Sequence, residues 1–386
     1  MAFTTLAAVA GGAYASDELK KRSQRLSSRD AGLAAQLVFG CLRYQAQLDF
    51  LIFQYSGRRD LDPEVRLAVR LAIFQMRYLE RIPVHAAVDE SVELVKSTRR
   101  SAAGFANAVL RKVNRKPVVW PDRGTELSCP EWLLARWTEH FGEEAAQAIA
   151  AVALREPEAF VRIPPGEHVP PGLEPTALAD AYRVLSEVPS GMRLHDIGSQ
   201  SIVPLLGIRP GDRYLDLCAA PGNKTVQALE ARPVFAIACD VSFRRLRELP
   251  PVCPRVVLDA AEPLPFSGRF DRVFIDAPCS GTGTLARNPE IKWRLQPEEL
   301  ARFAERQLAI LRQGAAVLAN RGTLLYATCS LEREENEEVI ARFLRENPEF
   351  RCVKEHWRIP GRDEGDGFYG ALLEADGDGT SDYFNR

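Results

Sequence analysis

Apolar residues recur at helical spacing along the first third of the chain. Between residues 29 and 55 they fall three or four positions apart, as they do on the buried face of a helix. The positions that define this stripe are Leu33, Leu37, Val38, Cys41, Leu42, Leu48 and Ile52. A second stripe begins after Asp62, a candidate N-cap, and Pro63, a residue suited to the first helical turn. Two shorter helical patterns follow, and together they predict an all-α domain over residues 1–121.

The pattern changes at about residue 191, where short β-branched and apolar runs alternate with helical stretches. The runs are "RYLDLCAA", "PVFAIACD", "PRVVLDAA", "DRVFIDAP" and "TLLYATCS". This alternation predicts an α/β domain over residues 191–386, with a parallel sheet that carries helices on both faces. "FRCVKEHW" and "GFYGALLEA" follow each other without a helix between them, so we expect a hairpin at the sheet edge.

Three stretches need a separate interpretation. Residues 122–190 are bounded and interrupted by proline- and glycine-rich connections, and we predict a small linker subdomain of helices and one or two strands. We expect the last residues, 376–386, to be mobile. The opening "MAFTTLAAVAGGAYA" resembles a signal peptide weakly, because it lacks a basic start and glycines break its apolar run. We therefore expect a cytoplasmic protein.

Composition excludes several classes of protein. No run of eighteen or more apolar residues is present, which argues against a transmembrane helix. The eight cysteines form no C-x-x-C pair and the five histidines are scattered, so we predict reduced cysteines and no metal site. Residues 1–120 contain 19 Lys and Arg against 11 Asp and Glu, although the whole chain has a net charge of −2. This asymmetry indicates a division of labour between a basic front part and an acidic remainder.

The candidate binding and catalytic residues directly follow the predicted strands. In an open α/β sheet, ligands bind outside the carboxyl ends of the strands. After the first strand comes a loop of mostly small residues, which lets a nucleoside-like ligand approach the backbone. The loop consists of Cys218, Ala219, Ala220, Pro221, Gly222, Asn223 and Lys224. Neither G-x-x-x-x-G-K-[ST] nor G-x-G-x-x-G occurs there, so the sequence predicts no diphosphate cradle.

The next strands end in acids and cysteines. Asp240, Asp259 and Asp276 each follow an apolar run. An acid after the second strand is placed to bind ribose hydroxyls, and one after the third could reach an adenine amino group. A single such acid is more often a helix cap, but three at successive strand ends favour a ligand site. Cys279 and Cys329 also follow strands, where a cysteine is usually a packing residue.

These motifs, in this order, resemble those of the RNA cytosine-5 methyltransferases. The resemblance rests on "LDLCAAPGNKT", "DAPCSGTGT", "NPEIKW", "YATCS" and "DGFYGALL", preceded by "HDIGSQSIVPLL". The front part is similar to a NusB-like RNA-binding domain through "RDAGLAAQLVFGCLRYQAQLDFLI", "RIPVHAAVDESVELVK" and "GFANAVLRKV". Together the two parts resemble the bacterial 16S ribosomal RNA methyltransferase B family, also called Fmu or Sun, over nearly the whole chain.

The resemblance implies a seven-stranded Rossmann-like sheet, S-adenosylmethionine as cofactor and RNA as partner. The sequence says little about oligomeric state, and a monomer is the default expectation. It implies that Cys329 adds to carbon 6 of cytosine, which makes carbon 5 nucleophilic. Cys279 would then assist release of the enzyme. Asp276 would hydrogen-bond nitrogen 3 of the ring, and the charge of Lys224 would favour a thiolate. The 218–224 loop, Asp240, Asp259 and Asp276 would hold the cofactor, and the target base would be flipped or single-stranded.

One departure from the family pattern concerns Asn223, which stands where the family has a second Gly. Asn tolerates a left-handed backbone better than most residues, so we still expect the loop to bind the cofactor. Basic runs at 20–25 and 111–116 are candidate phosphate contacts. After Cys279 the candidates for contacting phosphate or stacking on a base are Arg287, Lys292, Trp293 and Arg294, although Trp293 is equally suited to a core.

Three alternatives stay open. The same chemistry on tRNA or 23S ribosomal RNA would use the same residues. An amino-methyltransferase would need an Asn/Asp-Pro-Pro-aromatic motif where this chain has Asp-Ala-Pro-Cys. A non-catalytic RNA-binding or assembly factor would have no need for Cys279, Cys329, Asp276 and Lys224 together.

Overall fold

The computed structural model describes residues 1–375, so the segment expected to be mobile lies outside the described residues. The chain divides into two compact units. The first combines Met1–Glu156 with Leu285–Arg294, and the second combines Pro157–Thr284 with the chain from Leu295 onward. Residues 122–190 are thus divided between the two units, and their folding as a subdomain of their own stays a prediction.

The first unit is helical, as the periodicity predicts. Its first ten helices are α1 (Ala2–Ala10), α2 (Ala15–Arg22), α3 (Ser28–Arg43), α4 (Gln45–Ser56), α5 (Pro63–Tyr78), α6 (Val84–Arg99), α7 (Ala103–Leu110), α8 (Arg123–Glu126), α9 (Glu131–Phe141) and α10 (Glu143–Val152). Asp62 caps α5 as expected, since its Oδ1 accepts a hydrogen bond from the Glu64 amide at 3.1 Å. The weakly signal-like opening forms α1, which buries Leu6 and Val9 in the core of this unit.

The second unit is built on two sheets. A small antiparallel sheet has the order β1-β3-β2, with β1 (Phe160–Arg162), β2 (Leu173–Pro175) and β3 (Ala181–Val184). The large sheet has seven strands in the order β6-β5-β4-β7-β8-β10-β9. These strands are β4 (Arg213–Asp216), β5 (Phe235–Asp240), β6 (Arg255–Val257), β7 (Phe270–Asp276), β8 (Leu318–Thr328), β9 (Phe350–Arg358) and β10 (Phe368–Ala375).

Helices and short turns make up the remaining regular structure of residues 1–375. The helices after α10 are α11 (Ile197–Ile202), α12 (Asn223–Leu229), α13 (Phe243–Leu246), α14 (Ile291–Arg294), α15 (Glu299–Ala316) and α16 (Glu337–Glu346), of which α14 belongs to the first unit. Single 3-10 turns lie at Arg100–Ala102, Val203–Leu206, Thr282–Thr284 and Arg333–Glu335.

The topology of the large sheet confirms the predicted α/β architecture. Strands β4 to β8 run parallel, and β10 pairs antiparallel with both β8 and β9 to form the expected edge hairpin. Val273, Phe274 and Ile275 in β7 are all buried, as in a sheet covered on both faces. Because β5 and β7 flank β4 on opposite sides, the strand order reverses at β4, and ligands bind at such a switch point.

Candidate active site

The carboxyl ends of β7 and β8 bring two cysteines together. Asp276 at the end of β7 is in register with Ala327 in β8, so the loops that follow start side by side. Cys279 lies in the first loop and Cys329 in the second, and their Sγ atoms are 3.4 Å apart. Both residues are half-buried free cysteines. The structure therefore places these two predicted catalytic residues in direct contact.

A backbone connection holds the two cysteine loops at this distance. The Gly283 amide donates to the Cys329 carbonyl at 2.8 Å, and the Gly283 carbonyl accepts from the Gly367 amide at 2.8 Å. A Cβ atom on Gly283 would lie 2.5 Å from the Gly367 oxygen and 2.8 Å from the Cys329 oxygen. Glycine is therefore required at this position, because any side chain would push the loops apart.

A buried carboxylate beneath the cysteines ties the same loops together. Glu335 accepts hydrogen bonds from the Ser280 amide at 2.9 Å and from the Ser330 hydroxyl at 2.6 Å. It also accepts from the Ser280 hydroxyl and, at 2.9 Å, from the side chain of Gln307. Burial is the main cause that raises the pKa of Glu335, and these donors oppose it. The sequence analysis missed this residue, because it is one of five acids between positions 332 and 338 and no local pattern separates it from the other four.

Lys224 and Asp276 form an ion pair in the same unit. The Lys224 Nζ lies 2.8 Å from the Asp276 Oδ2 and 4.9 Å from the centre of the Phe368 ring. Burial lowers the pKa of the Lys224 ammonium, but the neighbouring Asp276, the Cys329 sulfur and Asp216 together raise it above its ordinary value. Lys224 is therefore a permanent positive charge close to Cys329 and Asp276.

The two thiols differ in their surroundings. The pKa of Cys279 is raised well above its ordinary value by its hydrogen bond with Cys329, by burial and by the nearby charges of Cys329, Glu335 and Asp276. Cys279 therefore keeps its proton and is suited to donate its S–H to the Cys329 sulfur. The Cys329 sulfur would then be the acceptor of the pair.

The loop after β4 is shaped by Gly222 and Asn223. Gly222 has a φ of 106°, and a Cβ atom there would overlap Leu249. Gly222 supplies the left-handed conformation of this loop, and Asn223 begins α12. The Asn223 side chain donates to the Leu194 carbonyl at 2.8 Å. Gly222 therefore makes the turn that leads from the small-residue loop into α12.

Two of the three acids at the strand ends, Asp240 and Asp259, accept hydrogen bonds from backbone amides. Asp240 is buried and accepts from the amides of Ala220 at 3.1 Å and Ser242 at 2.8 Å. Asp259 accepts from the Ala261 amide and pairs with Arg306 at 2.8 Å; these contacts lower its pKa, the backbone bond most strongly. Each carboxylate has lone pairs left for the ribose or amino groups of a nucleoside.

Asp216, at the end of β4, is a further residue that the sequence analysis missed. It is buried and accepts from the Thr225 hydroxyl at 2.7 Å and from the Cys218 amide at 3.3 Å, which anchors both ends of the loop. Burial raises the pKa of Asp216 to about 7. The sequence did contain a signal for this residue, because Asp216 ends a predicted strand directly before the small-residue loop.

Two of the candidate RNA contacts after Cys279 have structural roles instead. Lys292 is 1% exposed, and its Nζ donates to the carbonyls of Arg43 at 3.0 Å and Ser128 at 2.7 Å. The prediction that Lys292 contacts phosphate was wrong, because its ammonium is enclosed within the helical unit. The indole of Trp293 donates to the Leu42 carbonyl at 2.7 Å and packs against the helical core.

A membrane span and a metal centre are both absent from residues 1–375. None of the helices there has the length and apolar character that a membrane span requires. No group of three His, Cys, Asp or Glu side chains in this part of the chain could hold a metal ion.

Comparisons with known proteins match both units. Residues 203–374 match the family described as "16S rRNA methyltransferase RsmB/F", and residues 1–115 match the NusB family. The chain is 31% identical over 371 residues to the "Probable ribosomal RNA small subunit methyltransferase B" of Bacillus subtilis, covering 85% of this chain and 83% of that protein. It is also 31% identical over 403 residues to the "Ribosomal RNA small subunit methyltransferase B" of Citrobacter koseri, covering 93% and 94%.

Solved structures support the fold. The crystal structure of PH0851 has a TM-score of 0.77 at 23% identity and covers 93% of each chain. The crystal structure of NSun6 from Pyrococcus horikoshii with SFG has a TM-score of 0.55 at 17% identity and covers 64% of this chain and 98% of that one. With these relatives and the family match, the chain belongs to the ribosomal RNA small subunit methyltransferase B family, a family of methyltransferases with a NusB region, and its cofactor is S-adenosylmethionine.

Proposed function

We propose that this protein methylates carbon 5 of a cytosine in 16S ribosomal RNA, acting as a monomer in the cytoplasm. Cys329 would be the nucleophile and Cys279 the residue that assists release. The observation that carries the proposal is the 3.4 Å separation of the two Sγ atoms at the carboxyl ends of neighbouring strands. Two thiols in contact at the carboxyl edge of a methyltransferase sheet suit a reaction that forms and then breaks a carbon–sulfur bond.

The first step would be addition of the Cys329 thiolate to carbon 6 of the cytosine ring. The new S–C6 bond moves an electron pair toward carbon 5 and nitrogen 3, so carbon 5 becomes an enamine-like nucleophile. Lys224 carries a positive charge close to Cys329, and this charge would favour a thiolate there. Asp276, held by Lys224 at 2.8 Å, would hydrogen-bond the ring at nitrogen 3 and stabilise the charge of the adduct.

The cofactor would be held by the 218–223 loop together with Asp240 and Asp259. Small residues and the Gly222 turn let a nucleoside approach the backbone, and the two carboxylates have free lone pairs for its polar groups. Bound S-adenosylmethionine supplies the methyl group that carbon 5 acquires.

Release would require two bond changes at the methylated ring. The proton on carbon 5 must leave, and the S–C6 bond must then break with return of the electron pair to the Cys329 sulfur. Cys279 is in contact with that sulfur. It would give its S–H proton to the departing Cys329 sulfur, and the Cys279 thiolate formed in this way would take the proton from carbon 5. Without Cys279, the protein would stay covalently attached to the methylated RNA.

The family description, "16S rRNA methyltransferase RsmB/F", supports 16S ribosomal RNA over tRNA or 23S ribosomal RNA. The names of the Bacillus and Citrobacter relatives, which specify the small subunit, support the same substrate. Because a stacked base is out of reach of a thiolate, we propose that the target cytosine is flipped out or lies in a single-stranded segment.

The test is methyl transfer from labelled S-adenosylmethionine to naked 16S RNA, followed by mapping of the modified base. We expect 5-methylcytosine with the wild-type protein and no product with Cys329→Ala. We expect Cys279→Ala to trap a protein–RNA adduct that appears as a shifted band on a denaturing gel. Cys352→Ala, which changes a half-buried cysteine in β9, is the matched control and should behave as wild type.

Each variant can contradict a different part of the proposal. Normal turnover by Cys329→Ala would exclude Cys329 as the nucleophile. Absence of an adduct with Cys279→Ala would exclude the release role of Cys279. An adduct that persists in the Cys279→Ala/Cys329→Ala double variant would exclude Cys329 as the residue that bonds to the RNA. A modified base other than cytosine would overturn the proposed chemistry.

A further inference from the structure

The helical unit contains a cleft that has no part in the proposed methyl transfer. The cavity has a volume of about 500 Å³ and lies beside α4, the α4–α5 connection and the start of α8. We call it the arginine cleft, after the three arginines in its lining. Its walls include Phe50, Phe53, Arg58, Arg59 and Arg66, together with Asp49 and Asp122. None of these arginines lies in the basic runs at 20–25 and 111–116.

The three guanidinium groups carry unneutralised positive charge. The guanidinium of Arg59 lies 4.6 Å from the centre of the Phe53 ring, and that of Arg58 lies 5.4 Å from the centre of the Phe105 ring. Arg66 donates to the Arg59 carbonyl at 2.9 Å, which fixes the connection that bears the other two arginines. Within residues 1–375, none of the three forms an ion pair with a carboxylate.

The two acids in the cleft do not cancel this charge. Asp49 is engaged by Arg70, whose Nε and Nη2 each donate to one of its oxygens at 2.6 Å. Asp122 uses its Oδ1 to cap α8 at the Thr125 amide, at 2.6 Å. With Asp49 neutralised by its own partner, three arginines face a single acid, so the cleft attracts anions.

Aromatic rings stand next to these arginines. Phe53 is half-buried beneath the Arg59 guanidinium, and Phe50 packs edge-on against Trp120 with ring centres 5.7 Å apart. A groove that combines positive charge with aromatic faces is the usual means of binding a single-stranded nucleic acid, because phosphates pair with the charges and bases stack on the rings. The volume also lies in the range of about 300–1,000 Å³ typical of sites for a small molecule or a nucleotide.

We propose that the arginine cleft binds a single-stranded segment of the RNA substrate, with phosphates against Arg58 and Arg59 and a base stacked near Phe53. The proposal rests on the proposed function in one respect, that the substrate is RNA. It adds a contact site in the helical unit, distinct from the residues that bind the target cytosine. A single strand is favoured over a duplex, because only an unstacked base can lie on a phenylalanine ring.

The experiment measures binding of a fluorescein-labelled single-stranded RNA decamer to the full-length protein by fluorescence anisotropy, over a range of salt concentrations. We expect Arg58→Ala/Arg59→Ala to lower the slope of log Kd against log salt by about 1.4, the value for loss of two phosphate contacts to a single strand. We expect Phe53→Leu to weaken binding at least about fivefold through lost stacking, with little change in this slope.

The matched control is Arg81→Ala/Arg100→Ala, which removes two exposed arginines of the helical unit that do not line the cleft. It has the same change in net charge and should bind RNA as the wild type does. Circular dichroism of each variant verifies that the helical unit is folded. An unlabelled duplex RNA of the same sequence should compete less well than the single strand.

Several outcomes would overturn the proposal. Unchanged affinity and slope in Arg58→Ala/Arg59→Ala, or an equal loss in the control, would mean that the cleft is not a specific site. Equal competition by the duplex would exclude base stacking. These failures leave the proposed function intact if 16S RNA is still methylated, whereas absence of both methyl transfer and RNA binding in the wild type would overturn both proposals.

Discussion

At the scale of single residues, the site depends on a carboxylate that need not touch the substrate. Glu335 accepts hydrogen bonds from Ser280 and Ser330, and these serines directly follow the two cysteines. One buried group therefore positions both thiols. A buried carboxylate with this many donors is costly to remove, since each donor that loses its partner costs about 1–3 kcal/mol.

This arrangement predicts that Glu335→Ala will impair catalysis more than binding. Both thiols lose their common support, and a displacement of about 1 Å at reacting atoms can cost about a hundredfold in rate, so we expect a loss of that size in kcat with a smaller change in KM. Glu335→Gln keeps the shape and one acceptor oxygen, and should retain more activity. Steady-state methylation kinetics with RNA measure both.

The control for this prediction is Glu338→Ala, which removes an exposed acid in α16 three positions away. Its kinetics should match the wild type. If Glu335→Ala raised KM alone, or if the alanine and glutamine variants lost activity equally, Glu335 would not act by positioning the two cysteines.

At the scale of elements, two loops from neighbouring strands must converge, and Gly283 is the point where they meet. Its backbone bonds to Cys329 on one side and to Gly367 on the other, and there is no room for a Cβ atom. From the sequence "CSGTGT" alone, a glycine at this position predicts a turn. The close approach of three backbone segments is visible only in the structure.

We therefore expect Gly283→Ala to separate the cysteine loops. Forcing a methyl group into this contact should destabilise the protein by about 1–3 kcal/mol. It should also slow formation of the Cys279–Cys329 disulfide when the protein is treated with diamide, because the sulfur atoms move apart. Thermal unfolding and gel analysis of the oxidised protein measure these two effects.

Gly32→Ala is the matched control, because Gly32 lies in α3 and a Cβ atom added there would have open space around it to 4 Å. This substitution should stabilise the protein by about 0.5–1 kcal/mol, as expected for alanine in a helix interior. Wild-type oxidation kinetics in Gly283→Ala would show that this glycine does not set the separation of the thiols.

At the scale of the whole molecule, the sequence predicts the architecture better than the path of the chain. Helical spacing and strand alternation are local signals, and they were sufficient to predict the helical unit and a parallel sheet with helices on both faces, whereas the number of seven strands came from the family resemblance. The excursion of Leu285–Arg294 into the helical unit has no local signal, because its packing partners lie more than 160 residues away in sequence. For the same reason Lys292 could be taken for a phosphate contact, although it is a buried structural residue.

The excursion gives the stability of the whole protein a pH dependence that can be measured. Burial lowers the pKa of Lys292 from its ordinary value to about 8 in the folded state. Between about pH 8 and the unfolded-state pKa of about 10.4, the unfolded chain binds a proton that the folded chain does not. The contribution of Lys292 to the free energy of unfolding must therefore rise with pH across this window, and stay constant below it.

Lys292→Met removes the titrating group, so the difference between wild type and variant measures the contribution of Lys292 to the free energy of unfolding. The variant should be less stable at neutral pH, because the carbonyls of Arg43 and Ser128 lose their donor. The stability difference between wild type and variant should then widen by up to about 3 kcal/mol as the pH rises from about 8 to above about 10. Urea unfolding at a series of pH values measures this difference. Other groups that titrate at high pH affect both proteins equally, so their contributions cancel when the two free energies of unfolding are subtracted. Parallel curves for the two proteins would mean that the Lys292 ammonium titrates in the folded state as it does in the unfolded chain, and would contradict its enclosure among backbone carbonyls.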